Sequence, residues 1–218
     1  RRQRQMCIRD RIIEYLKNAG NTEELDKLLA EYLSNPFDFF GHSISTPGIG
    51  DSLSADKSTP GAPTLEARIA KRYGAKFARI GVSGTSQINQ SMLIAARRAR
   101  PDRNLILRTG NEHSSFLMGC LSANVRLATI PTNIDARTGL QQLSIYDALR
   151  NALKEQDGKV LAVFLTLPTY EGASIDLREI HALCGANGCY LIIDGAWSGM
   201  WGLDPAFPPS LADQCDVM

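Results

Sequence analysis

The sequence predicts an α/β fold: a three-layer, mainly parallel sheet with helices on both faces, preceded by an N-terminal helical hairpin. Three observations predict it. From Phe77 onward, short apolar runs alternate with segments of helical period, the pattern of strands joined by crossover helices. Val160 to Leu165 and Tyr190 to Ile193 are nearly continuous in apolar residues, as suits strands buried on both faces of a parallel sheet. Upstream, Ile8, Ile12, Ile13 and Leu16, then Leu25, Leu28, Leu29 and Leu33, recur at helical spacing on either side of a break at Ala19-Gly20-Asn21-Thr22.

Composition bounds the function before any motif is read. A chain of 218 residues, 44% hydrophobic and 22% charged, can bury an ordinary globular core. With 24 basic against 23 acidic residues the net charge is +1, so no whole-chain field draws it to nucleic acid or an anionic membrane, and a small ligand is expected. No apolar run approaches the roughly 18 residues of a membrane span, and the basic start, RRQRQ, is not followed by a signal-peptide core. The five cysteines, at 7, 120, 184, 189 and 215, show no C-x-x-C spacing, which argues against a zinc site or a disulfide framework and for a reducing, cytoplasmic setting.

Taken in order, residues 1–41 read as the N-terminal helical segment, in which Asn21 or Thr22 caps the second helix. Residues 42–218 read as the ligand-binding domain. Its first stretch, 42–63, is a long ordered loop rich in Ser, Gly, Pro and Asp; loops of this length in compact domains are usually functional or disordered. A helix is expected from Thr64 to about Tyr73, stopped by Gly74. Then come a strand at Phe77–Val82, a helix at Gln87–Arg100, a strand at Leu105–Leu107 and a short helix at His113–Ser122. Val125–Ile130 is the next strand, Leu140–Gln156 mostly helix, Val160–Leu165 a strand, Leu177–Asn187 a helix and Tyr190–Asp194 the last complete strand.

Four stretches carry residues suited to chemistry. Asp194 ends a buried strand, where open α/β sheets bind ligands, although an Asp before Gly195 also suits a turn. Gly84-Thr85-Ser86 opens a helix after a strand, so its amides and hydroxyls either cap that helix or hold an anion at its positive end. Neither the Walker lysine nor the G-x-G-x-x-G spacing is present, which speaks against ATP and dinucleotides. His113 stands at another strand exit, as a structural residue, a proton carrier or an aromatic plate for a planar ligand. Thr169 and Tyr170 follow Pro168 in a turn that points hydroxyls toward the same edge. The three histidines, 42, 113 and 181, are too scattered for a metal site.

Read together, Gly84-Thr85-Ser86, His113, Pro168-Thr169-Tyr170-Glu171-Gly172 and Asp194-Gly195-Ala196-Trp197 occur in an order and spacing that resembles the bacterial ornithine/lysine/arginine decarboxylases, pyridoxal-phosphate enzymes of fold type I. Phe37-Asp38-Phe39-Phe40-Gly41, Asp51-Ser52 and Leu65-Glu66 look like the segment that precedes the phosphate loop there, so the similarity covers roughly residues 35–218. The resemblance implies pyridoxal 5′-phosphate as cofactor and an amino acid, most characteristically a basic one, as substrate for decarboxylation. It implies that Gly84, Thr85 and Ser86 form the phosphate loop, that His113 stacks on one ring face and Ala196 on the other, and that Asp194 pairs with the pyridinium nitrogen. Thr169 and Trp197 would complete the pocket, and His113 and Asp194 would be the catalytic pair. A carboxylate at that nitrogen keeps it protonated, so the ring accepts electrons released at the substrate α-carbon.

The chain departs from the pattern in one respect that matters most. The family needs a Schiff-base lysine after the aspartate, and the lysines here, 17, 27, 57, 71, 76, 154 and 159, all precede Asp194. Cys215-Asp216-Val217-Met218 looks like the strand leading to it. The expected arrangement is an incomplete large domain, with the lysine on a missing C-terminal part or on a second polypeptide, in a homo- or hetero-oligomer. Transamination, elimination or oxidative chemistry in a split enzyme, or a non-catalytic regulatory subunit, are the alternatives. Glu112 before His113 and the small Gly195, Ser198 and Gly199 also differ from the family, which bears on the substrate more than on the cofactor.

Overall fold

The computed structural model describes residues 63–81, 84–156 and 158–218. The chain divides into two compact units, Arg1–Arg68 and Ile69–Met218, and the whole sheet belongs to the second. The N-terminal hairpin, the long loop up to residue 62 and the expected boundary after residue 41 lie outside the described residues.

Among the described residues the elements are, in sequence, α1 (Leu65–Tyr73), α2 (Thr85–Ala99), β1 (Leu105–Arg108), α3 (Ser114–Ala123), β2 (Arg126–Thr129), α4 (Tyr146–Glu155), β3 (Val160–Thr166), α5 (Arg178–Ala186) and β4 (Tyr190–Asp194). The strands form one parallel sheet in the order β2-β1-β3-β4. A single parallel bridge joins Ile192 to Val217 beside β4, with Ile193 N donating to Val217 O at 2.8 Å. Phe77–Gly81, expected as the start of a strand, pairs with none of these. Its leading aromatic, Phe77, is 81% exposed, so the apolar residues that predict the strand are not buried against this sheet.

The three layers follow from the two-residue pleat. On one face Leu105, Leu107, Val163, Leu165, Leu191 and Ile193 pack with Ile145, Leu149 and Leu153 of the α4 region and Leu177, Ile180 and Cys184 of the α5 region. On the other, Ile106, Ala162, Phe164 and Ile192 pack with Leu93 and Ala96 of α2 and Phe116, Cys120 and Ala123 of α3. Phe116 and Phe164 stack with centroids 4.4 Å apart. At the amino end of the sheet Arg103 Nη1 donates to the carbonyls of Val160, Asn187 and Gly188, at 3.1, 3.0 and 2.7 Å, and so ties β3 to the turn before β4. Cys120 is buried, and desolvation pushes its thiol up to about 12. Among the described residues no helix is long and apolar enough to cross a membrane.

One glycine sets the distance between the helices that carry the candidate site. A Cβ at Gly119 of α3 would lie 2.8 Å from Leu93 Cδ1 and 3.0 Å from the Gln90 Cα of α2, so a larger side chain must part the two helices. Gly119→Val is expected to destabilise the chain by about 1–3 kcal/mol, read as a lower denaturant midpoint. An unchanged midpoint would show that α2 and α3 separate freely.

Candidate active site

Pleat parity decides which side of the sheet carries the chemistry. Thr166 and Asp194 end β3 and β4, are register partners, and share parity with Phe164 and Ile192, so both point to the α2/α3 face. That face has a cavity of about 660 Å³ at the carboxyl end of the strands, lined by Thr85, Ser86, Asn89, His113, Ser115, Thr166, Tyr170, Asp194, Ala196 and Trp197. This size suits a small cofactor or substrate. Asp194, 3% exposed, is the buried acid of the site. Its Oδ2 accepts from Asn89 Nδ2 at 2.7 Å, and its Oδ1 from the amide of Ala196 at 3.2 Å.

Two helix starts supply the rest. Gly84, at φ 76° and ψ 167°, is the N-cap of α2 and offers no side-chain cap, and the first turn of α2 has no acidic residue. The positive φ is one that side chains rarely adopt. Thr85 and Ser86 therefore stand at the positive end of a 15-residue helix, on the cavity wall. At the start of α3 the ring of His113 is itself the cap: Nδ1 accepts from Ser115 N at 3.2 Å and meets Ser115 Oγ at 2.9 Å. The loop before it is held by Glu112, whose side chain is 1% exposed. Its carboxylate receives the amides of Thr109 at 2.9 Å and Gly110 at 2.8 Å and the guanidinium of Arg108 at 2.9 Å. Glu112 thus shapes the turn that presents His113.

The turn after β3 gives a mixed result. A cis Leu167–Pro168 bond leads into it. Thr169, expected at the cofactor, is absent from the cavity wall: its hydroxyl accepts from Ala173 N at 3.2 Å and its amide donates to Ala173 O at 2.9 Å. The hydroxyl closes the turn, and the turn brings Tyr170 to the rim. There Tyr170 meets Trp197 edge-on, with centroids 6.3 Å apart. Both rings are largely exposed and form the outer wall. Of the residues singled out in the sequence, Thr85, Ser86, His113, Asp194, Ala196 and Trp197 line this one cavity, and Gly84 stands beside them as the cap.

Sequence reasoning missed Asn89, Ser115 and Thr166. Each had a signal. Asn89 opens the buried stripe Asn89, Leu93, Ala96 of α2, a polar residue in a core position. Ser115 lies one residue before Phe116 on the buried face of α3, and Thr166 continues the buried run of β3.

Known proteins share this arrangement of sheet and helices. The family described as Orn/Lys/Arg decarboxylase, major domain, matches residues 33–216. The chain belongs to that family. No curated protein matches the sequence. Among solved structures, the decarboxylase-family chain is similar to Oryza sativa TDC with PLP and tryptamine, at 21% identity and a TM-score of 0.51, over 62% of this chain and 32% of that one. It is similar to mouse CSAD at 20% identity and a TM-score of 0.52, over 69% of this chain and 35% of the other. A chain of a SepCysS-SepCysE N-terminal domain complex gives 15% identity and a TM-score of 0.58, over 89% of this chain and 46% of the matched one. At these identities the likeness is one of fold, and the family member spans less than half the length of each.

Proposed function

We infer that this chain is the cofactor-binding part of a pyridoxal-phosphate enzyme that acts on an amino acid, in the first place a decarboxylase of a basic one, and that the Schiff-base lysine comes from outside this sequence. The observation that carries the reading is the meeting of a buried carboxylate, an imidazole and a helix N-terminus around one cavity of about 660 Å³. One buried oxygen there, Thr166 Oγ1, has no hydrogen-bond partner among the described residues, so part of the wall is built for a polar atom the protein does not supply. Family membership supports the same reading.

The residues divide the work. Thr85 and Ser86, at the amino end of α2, hold the phosphate, where free amides and the helix dipole favour an anion. With the cofactor bound, Asp194 would serve the ring nitrogen, His113 and Ala196 would cover the ring, and Trp197 with Tyr170 would shield the outer side; all five residues line the one cavity. When bound, the cofactor supplies an electron sink for a bond broken at the substrate α-carbon. Because Asp194 is anchored on both oxygens, its charge is already positioned when the reaction draws on it. Which bond breaks depends on the substrate's orientation, so transamination, elimination or oxidative chemistry on the same site are the nearest alternatives.

The deciding experiment combines this chain, pyridoxal phosphate and the lysine-bearing segment or subunit encoded next to it. The expected result is a saturable absorbance band near the visible edge, bleached by borohydride, with the mass increment on that lysine and release of carbon dioxide from ornithine, lysine or arginine. The absence of a spectral change under any pairing overturns the reading.

A further inference from the structure

Asn89 is 1% exposed in a helix stripe otherwise made of Leu93 and Ala96, and one of its polar atoms, Oδ1, is buried with no partner. An unpaired buried acceptor costs about 1–3 kcal/mol, so an apolar residue would serve the core better at this position. The amide must earn its place through its two N–H groups. One donates to Asp194 Oδ2 at 2.7 Å and the other to Ser115 Oγ at 3.1 Å. The orientation of the amide is forced, because the reverse would set Oδ1 against a carboxylate oxygen.

The direction of every further proton is then fixed. Ser115 Oγ accepts from Asn89, which leaves its own hydrogen for His113 Nδ1 at 2.9 Å. The amide of Ser115 also donates to Nδ1, at 3.2 Å. A ring nitrogen that accepts twice has no proton, so the neutral imidazole keeps its proton on Nε2, for which no described residue is a partner.

We propose that Asn89 is a positioning residue that locks Asp194 and His113 to each other through Ser115, fixing the carboxylate's orientation and the Nε2–H tautomer of the imidazole in one hydrogen-bonded chain. The inference rests on the functional reading above for its purpose, because the two locked groups are those assigned to the nitrogen edge and to one face of the same ring. A merely structural Asn89 would hold α2 against the sheet and leave the imidazole indifferent to it.

The test reads the tautomer directly, on the full chain without cofactor, by ring nitrogen-15 and carbon-13 shifts of His113, assigned by loss of its signals in His113→Gln. Wild type is expected to show the Nε2–H form almost alone. Asn89→Leu, which keeps the size and removes both donors, is expected to give a mixture of tautomers and to weaken pyridoxal phosphate binding about 10–100-fold, the usual cost of removing a partner that orients a ligating group. Ser115→Ala, a smaller change at the fold level, leaves only the 3.2 Å backbone amide donating to Nδ1 and is expected to admit a fraction of the Nδ1–H form, with Ser115→Thr restoring the wild-type spectrum. A wild-type ring protonated on Nδ1, or a tautomer unchanged in Ser115→Ala or in folded Asn89→Leu, overturns the proposal. Since the tautomer is read without cofactor, failure of wild type to bind pyridoxal phosphate would count against the functional reading alone.

Discussion

Asp194→Asn is expected to weaken pyridoxal phosphate binding by roughly 10²- to 10⁴-fold while leaving the fold in place. The size follows from the site's dryness: Asp194 is 3% exposed, and removing one member of a buried charge pair typically costs about 3–5 kcal/mol. The fold is expected to survive because the asparagine carbonyl oxygen still accepts from Asn89 Nδ2 where the carboxylate Oδ2 did at 2.7 Å, and only the longer 3.2 Å bond from the Ala196 amide is lost. Equilibrium dialysis gives the affinity and circular dichroism the fold. If Asp194→Asn binds the cofactor as wild type does, the carboxylate faces something other than the ring nitrogen, and the assignment of the whole cavity fails with it.

The inner strands were legible in the sequence because β1, β3 and β4 are buried and so read as apolar runs, while β2 is largely exposed. Tyr190–Asp194 is found with the expected bounds, and Val160–Leu165 gains one residue, Thr166. Helix starts were less legible. The helix expected from Leu140 begins at Tyr146, because 131–144 forms an irregular stretch held by Asp135, whose carboxylate takes the amides of Arg137 and Thr138 at 2.9 Å, and by Gln141 Nε2, which donates to Thr109 O and Thr132 Oγ1 at 2.8 Å. No apolar periodicity reports such side-chain bonds.

The site shows the same division. Residues at strand exits and helix starts, Asp194, His113, Thr85 and Ser86, can be read from position, because backbone geometry alone aims them at the sheet edge. Thr169 could not be placed in this way, as its hydroxyl is used by Ala173 four residues on. Asn89 and Ser115 could not be found by motif, since their roles exist only once two helices lie side by side. The close approach at Gly119 is what brings them within bonding distance of one another.

Ser86→Glu separates an anion site from an ordinary helix cap by giving two effects of opposite sign. The first turn of α2 has no acidic residue, and its cap, Gly84, offers no side-chain acceptor, so a carboxylate at position 86 meets an uncompensated helix dipole. The cofactor-free chain should therefore gain about 0.3–1 kcal/mol, seen as a higher melting temperature. The same carboxylate stands where the phosphate is assigned, and juxtaposed like charges cost several kcal/mol, so pyridoxal phosphate affinity should fall by more than about 100-fold. Loss of both stability and binding would mean only that the turn is damaged, and Ser86→Ala, with no added charge, distinguishes that case by retaining most of the binding. Gain of stability with undiminished binding would move the phosphate away from α2, since no arrangement that seats a dianion on these amides tolerates a carboxylate beside it.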